Sequence, residues 1–423
     1  MDALSFFRSI IKFQKHGEAA GICSVCSAHP LVLEAAMEYA SERNDPLLIE
    51  ATANQINQFG GYMGMVPSEF CEMVYKMAER AGFPRESLIL GGDHLGPLTW
   101  SGENESSAMP KAEELVRAFA SAGFSKIHLD ASMRLADDDK NAQLPTAVIA
   151  RRSALLCKAA EQSAVVPPVY VIGSEVPPPG GATENEDSLT VTGVDALNET
   201  LNVFKDAFIN EGLEDAWERV IAVVVQPGVE FSDNKVVLYD RAKAADLADF
   251  IRGIDSIVLE GHSTDYQPCE LLTQMKEDGI AILKVGPALT FALREGFFAL
   301  EKIERELYMS EPEAGYSGFA AALDEAMLEN PAYWVRHYHG SEDEIAIQRK
   351  FSLSDRSRYY LSDIRVEKAI QKLKQNLAAG IPLGLLMQYL PAQAEKVISG
   401  KLRPDLDSLI KAKVKDVIDT YYG

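Results

Sequence analysis

Eight short segments rich in Val, Ile and Leu punctuate the first three hundred residues, and a helix-length stretch follows each one. They are Gly21–Ser27, Leu47–Glu50, Leu88–His94, Lys126–Asp130, Val169–Glu175, Ile221–Gln226, Ser256–His262 and Ile282–Gly286. Helical spacing covers Pro30–Arg43, Pro67–Ala81, Met109–Ala122, Thr146–Gln162, Asp195–Glu211, Arg241–Arg252, Gln267–Asp278 and Leu289–Leu307. Parallel strands need a crossover of about a dozen residues, so eight such units in a row predict an α/β fold, a closed (β/α)8 TIM barrel. Residues 1–309 are expected to form it, with Met1–Gly17 as a capping helix. From residue 310 to 423 the pattern is helical throughout, and this stretch is expected to pack on the barrel as an extension.

The punctuation agrees with the pattern. Pro30, Pro67 and Pro287 stand where a first helical turn tolerates a missing N–H. Gly82, Gly123 and Gly279 fall just past helix ends, where a left-handed cap is wanted. Two polar loops, Trp100–Ser107 and the run from Pro177 through Asp187, interrupt the alternation at the expected catalytic mouth.

The chain's 423 residues exceed one barrel of about 250 and leave room for the extension. A formal net charge of −22 argues against sequence-independent binding to nucleic acid, which relies on clustered Lys and Arg, and against an anionic membrane surface. Five scattered cysteines make no disulfide framework and fit a reducing compartment. The amino terminus lacks a signal-peptide pattern, and no run reaches the roughly 18 apolar residues of a span. A cytoplasmic protein is expected.

In a barrel of this kind the site lies at the carboxyl ends of the strands. Asp93, His94, His128, Asp130, Glu175, Gln226, Glu260, His262 and Lys284 should therefore converge. Asp93-His94 follows Gly91-Gly92, and His262 ends another strand. This pairs two candidate metal ligands with a carboxylate able to move protons. The expected roles are His94, His262 and Glu175 on a divalent metal, zinc by ligand type, with Asp93 and Glu175 as acid/base groups. Glu50, Asn54, His128, Asp130, Gln226, Glu260 and Asp265 are candidate substrate contacts. For each alone, a buried hydrogen-bonding role is about as common.

Lys284-Val-Gly-Pro-Ala-Leu-Thr290 opens the last barrel helix. Lys284, Gly286 and the N–H groups of Ala288, Leu289 and Thr290 form the expected phosphate site, because free donors at a helix start suit an anion. A Schiff-base role for Lys284 has no further support. Cys23-Ser-Val-Cys26 matches C-x-x-C but lacks a second pair, so buried small residues explain it better than redox or zinc chemistry. Neither a G-x-x-x-x-G-K-[ST] loop nor a dinucleotide fingerprint is present, so no nucleotide cofactor is expected.

Several blocks strongly resemble the GatZ/KbaZ family. They include Gly21–Pro30, Glu50–Gly61, Gly91–Pro97, Lys126–Ser132, Val225–Phe231, Gly261–Gln267, Lys284–Arg294 and Ser352–Arg356. The resemblance spans almost the whole chain, tail included. It implies a subunit of class II D-tagatose-1,6-bisphosphate aldolase that supports a separate catalytic aldolase subunit, with a phosphorylated ketohexose as ligand and room for self-association. Some relatives have been assigned a hexulose-phosphate 4-epimerase activity on tagatose and fructose 6-phosphates, and older naming called members tagatose-6-phosphate kinases. Asp93-His94, His262 and Lys284–Thr290 are similar to the aldolases' Asp-His pair, late-barrel histidine and phosphate loop. Gln226 departs from the pattern: it stands where a further metal histidine is expected.

Overall fold

The computed structural model describes residues 2–174, 176, 189–309 and 315–422. Eight parallel strands close into a barrel: β1 (Ile22–Val25), β2 (Leu47–Thr52), β3 (Leu88–Leu95), β4 (Lys126–Leu129), β5 (Val169–Ile172), β6 (Val220–Val225), β7 (Val258–Gly261) and β8 (Ile280–Val285). Each strand pairs with the next in sequence, and β8 closes on β1 with Ile22 opposite Ile282 and Ser24 opposite Lys284. The eight expected segments are these strands. A two-stranded ribbon, Glu230–Phe231 with Val236–Val237, follows β6 outside the barrel.

The helices fall close to where the spacing puts them. Pro30–Arg43 and Pro67–Ala81 start at their prolines, and the second ends at Gly82 with φ +66°. Two starts differ. Helix Glu105–Ala122 begins four residues before Met109 and carries Pro110 in its interior, where the missing N–H leaves the Ser106 carbonyl without its i+4 donor. Helix Ala245–Arg252 begins four residues after Arg241. There the N–H groups of Lys243 and Ala244 bond back to the Asp240 carbonyl in a turn.

The barrel interior has two unlike halves. Its amino-terminal end is apolar: Phe7, Ile10 and Ile11 of the capping helix Ala3–Lys15 pack against Ile22, Leu48, Ile89, Ile221 and Ile282. Lys15 fastens that helix by donating to the Ile251 and Ile257 carbonyls. Toward the other end the lining becomes Ser24, Glu50, Lys126, His128, Glu260 and Lys284, all buried. The apolar plug therefore leaves the polar end as the one able to meet a ligand.

The carboxy-terminal residues are helical and interlock with the barrel. Helix Leu406–Asp419 lies against Pro30–Arg43 and Pro287–Leu307, the helices flanking the closure of β8 on β1. Lys411 pairs with Glu38, Lys415 with Glu38 and Glu42, and the Tyr421 hydroxyl donates to the Thr264 carbonyl at 2.9 Å. Among the described residues no helix is long and apolar enough to cross a membrane.

Candidate active site and metal centre

Strand β3 solves a geometric problem that the Asp93-His94 pair poses. Neighbours on a regular strand point to opposite faces. Here the register with β4 shifts between Gly92 and Leu95, and His94 takes φ +49°. This irregularity turns both side chains toward the mouth, as bulges beside active sites do. Ser263, Tyr266 and Asp355 also have positive φ, so left-handed backbone at non-glycine residues concentrates around this end of the barrel. Two glycines make the close approaches. A Cβ on Gly91 would lie 2.7 Å from Glu50 Cγ, and one on Gly96 would lie 1.6 Å from the Asp130 carbonyl oxygen.

Inside the mouth two ammonium groups hold three carboxylates. Lys126 Nζ lies 2.7 Å from Glu50 Oε1 and 2.8 Å from Glu260 Oε2. Lys284 Nζ pairs with Asp93 Oδ1 and lies 3.2 Å from Glu50 Oε2 and 3.5 Å from Glu260 Oε1. Burial works against the charge on Lys284, but Asp93, Glu50 and Glu260 outweigh it and hold the ammonium well above its ordinary pKa. A lysine so held is no Schiff-base nucleophile. The two cysteines at the end of β1 are equally inert: burial raises both the Cys23 and Cys26 thiols, and neither is in a disulfide.

Three histidines meet above this network. Ring centroids lie 5.2 Å apart for His94–His128, 4.9 Å for His94–His262 and 5.2 Å for His128–His262. Each has a carboxylate neighbour: His94 Nδ1 is 2.8 Å from Asp130 Oδ2, His128 Nδ1 is 2.9 Å from Asp93 Oδ1, and His262 Nε2 is 2.9 Å from Glu260 Oε1. Burial alone would lower the His94 pKa, yet Asp93 and Asp130 outweigh it and raise it. Burial together with the Lys284 charge pushes His262 down to about 3, so its imidazole is neutral near pH 7.

The donor set fits a divalent metal. Asp93, His128, Glu260 and His262 each offer one ligand atom, all within 4.8 Å of one another and all buried. His128 Nε2 is buried without a hydrogen-bond partner. His128 Nδ1 faces both the His94 N–H, at 3.2 Å, and Asp93 Oδ1; the tautomer with its proton on Nδ1 toward Asp93 leaves Nε2 unprotonated, the form a metal needs. Four buried carboxylates (Glu50, Asp93, Asp130, Glu260) face two lysines and the neutral His262, so acids outnumber ammonium groups where a divalent cation would sit. Two nitrogens and two oxygens suit zinc and its neighbours among divalent first-row metals.

This set differs from the expected one. Glu175 lies outside the described residues. His94 borders the group, with Nε2 3.8 Å from Asp93 Oδ2, while His128 and Glu260 join it. Asp130, expected as a substrate contact, instead orients His94 and accepts from Ser132 N–H and Oγ–H at 3.0 and 2.6 Å. Gln226 does not face the group. Its Oε1 accepts from the N–H groups of Gly228 and Val229 at 2.8 and 3.1 Å, which builds the turn after β6. Asn54 and Asp265 line the mouth cavity together with Asp93, His94, His262 and Lys284.

The expected phosphate donors are already engaged. Asp265 Oδ1 accepts from Gly286 N–H at 3.0 Å and from Ala288 N–H at 2.8 Å, while Leu289 and Thr290 N–H return to the Gly286 carbonyl. A buried carboxylate of the chain itself thus fills the anion position at this helix start, and Lys284 is spent on three other carboxylates. The residues not singled out in the sequence are Lys126, Tyr62, Arg358 and Tyr359. Lys126 carried a signal, since it shares a strand face with His128 and Asp130 at spacing of two. Arg358 and Tyr359 come from the tail and carried none of their own.

A closed parallel barrel with a buried carboxylate–lysine–histidine mouth is a (β/α)8 protein built to hold a small polar ligand or metal at its carboxyl end. The chain belongs to the GatZ/KbaZ-like family, described as D-tagatose-1,6-bisphosphate aldolase subunit GatZ/KbaZ-like, whose model matches residues 7–423. A crystal structure of a "probable tagatose 6 phosphate kinase" from Sinorhizobium meliloti is 43% identical, covers 95% of this chain and 99% of its own, and superposes with a TM-score of 0.87. A fructose-bisphosphate aldolase from Campylobacter jejuni is 15% identical, with 90% of this chain and 93% of that one covered and a TM-score of 0.46. The chain is thus a tagatose-bisphosphate aldolase subunit by family, and the match takes in both the barrel and its helical tail.

Proposed function

We propose that this chain binds a divalent metal and a phosphorylated ketohexose in its own barrel mouth, and that it supports the activity and stability of a separate catalytic aldolase subunit in the cytoplasm. The family match across barrel and tail carries the reading. Asp93, His128, Glu260 and His262 would hold the metal, which when bound supplies Lewis-acid polarisation of a carbonyl. The chain's residues do the rest. Lys126 and Lys284 keep Asp93 and Glu260 ionised in a dry interior and both pair with Glu50. Asp130 fixes the His94 ring so that Nε2 faces the cavity side of Asp93. His94, whose pKa Asp93 and Asp130 raise, is then placed to take and return a hydroxyl proton.

A complete buried acid/base set favours a second reading, in which the chain is itself a 4-epimerase for tagatose and fructose 6-phosphates. Position C4 is not adjacent to the carbonyl, so inversion there requires loss of the C4 hydroxyl proton with cleavage of the C3–C4 bond. Rotation of the freed aldehyde and re-addition then give the epimer. Kinase chemistry has no phosphate-cradling loop to support it.

One assay divides the readings. The chain is incubated alone and with the catalytic subunit, with and without added zinc, on fructose and tagatose 6-phosphates and on the 1,6-bisphosphates. The supporting role predicts no turnover alone and a faster, longer-lived aldolase when both are present. Interconversion of the two 6-phosphates by the chain alone establishes the epimerase instead. If the chain neither turns over sugar nor changes the catalytic subunit, both readings fail.

A further inference from the structure

With the donors of Gly286 and Ala288 taken by Asp265, a phosphorylated ligand in this mouth needs another anchor. The described residues lining the cavity carry two Lys or Arg side chains, Lys284 and Arg358. Lys284 is held among three carboxylates. Arg358, on the tail segment that roofs the mouth, meets no carboxylate at ion-pair distance among the described residues, and Asp355 and Asp265 act on it only from further away. It donates Nη1–H to the Ser354 and Asp355 carbonyls at 2.6 and 3.3 Å and Nη2–H to the Tyr359 hydroxyl at 3.2 Å. Neutral carbonyls orient a guanidinium without cancelling its charge, and a cation held out of water without a counter-ion is costly.

Tyr359 supplies a second donor beside Arg358. Its oxygen accepts from Arg358 and, at 3.4 Å, from Arg356, whose Nη2 otherwise meets His337 Nδ1 at 2.9 Å. An oxygen that accepts twice has its own proton left to give. Burial would raise the phenol's pKa, but Arg358 and Arg356 outweigh it and lower it, making the O–H a stronger donor. The ring is fixed by stacking on Tyr333 at 4.6 Å and by an edge contact with Tyr62 at 4.6 Å. A rigid O–H and a forked cation on neighbouring residues are what a phosphoryl group asks for.

We propose that Arg358 and Tyr359 form the phosphate-binding subsite of this mouth, contributed by the tail and not by the last barrel helix. The charge layout then orients the ligand. Asp93, Glu260 and Glu50 repel a phosphate from the histidine end, so the phosphorylated carbon lies under Arg358 and the carbonyl end faces Asp93 and His94. With one cation in the described lining that no carboxylate meets at ion-pair distance, and no Lys or Arg in the sequence of 177–188, the subsite takes one phosphoryl group. The inference rests on the sugar-phosphate reading above for the ligand's identity, but not for the subsite itself.

The full-length chain is titrated calorimetrically with inorganic phosphate, fructose 6-phosphate and unphosphorylated fructose, as wild type, Arg358→Met and Tyr359→Phe. The expected result is a loss of at least about 30-fold in fructose 6-phosphate affinity for Arg358→Met and several-fold for Tyr359→Phe, with fructose unaffected. Tyr359→Phe keeps the ring stack, so it decides the matter should Arg358→Met unfold on a thermal melt. Wild-type binding of inorganic phosphate that Arg358→Met or Tyr359→Phe weakens, with no binding of the sugar phosphate, upholds the subsite and sinks the sugar reading. Undiminished fructose 6-phosphate binding in both variants, or no phosphate binding of either kind by wild type, overturns the subsite.

Discussion

The Asp265 carboxylate and the Gly286 amide meet at 3.0 Å, and the same oxygen takes the Ala288 amide at 2.8 Å, so one buried acid closes the start of the last barrel helix. Two N–H donors and the positive end of a helix favour the anion. Burial nevertheless outweighs them and pushes the carboxyl up from an ordinary 3.8 to about 6. The folded state therefore binds this proton more tightly than the unfolded one. The stability it contributes is full below about pH 4 and is lost as pH rises through about 6.

Asp265→Asn keeps an oxygen for both amides and removes the charge. At pH 8 the variant should be more stable than wild type, by up to about 3 kcal/mol, and at pH 4 the two should coincide. Urea unfolding at both pH values checks this. A variant less stable than wild type at pH 8 would show that the helix start needs the anion.

Gly91 stands opposite Glu50 on one side and Lys126 on the other. Its missing side chain is the space through which those two reach each other. Gly91→Ala should cost about 1–3 kcal/mol through overpacking, because the new Cβ would meet Glu50 Cγ at 2.7 Å. Chemical denaturation measures it, and an unchanged midpoint would mean that Glu50 has another place to go.

Lys126→Met removes the ammonium that Glu50 and Glu260 share, at 2.7 and 2.8 Å, in a fully buried site. The expected cost is about 3–5 kcal/mol, since an uncompensated buried charge is left behind. Adding Glu50→Gln should return part of that loss. If the double variant is as unstable as the sum of the singles, the two residues are not coupled.

The barrel was legible because each strand is short, apolar and closed by helix punctuation, and the positions of Pro30, Pro67 and Gly82 mark helix ends almost to the residue. Convergence of Asp93, His94, His128, Glu260, His262 and Lys284 followed from topology alone. Which of them group together did not. His128 displaces His94 from the tight donor set because a register shift at Gly92–Leu95 re-aims β3, and no periodicity announces a bulge. Nor could the sequence show that the expected phosphate donors are engaged by Asp265: a glycine followed by a helix start reads the same whether its amides face solvent or a carboxylate folded back from β7. Arg358 reaches the mouth through tertiary packing of the tail, a contact that local pattern does not encode.

In the proposed function Asp93, His128, Glu260 and His262 make one metal site. Elemental analysis of the full-length protein, dialysed against zinc and then freed of excess, tests it most directly. The account predicts one divalent ion per chain in wild type, loss of that ion in both His128→Ala and His262→Ala, and retention in Tyr359→Phe. Wild type that holds no stoichiometric metal, or His128→Ala that holds as much as wild type, would contradict it.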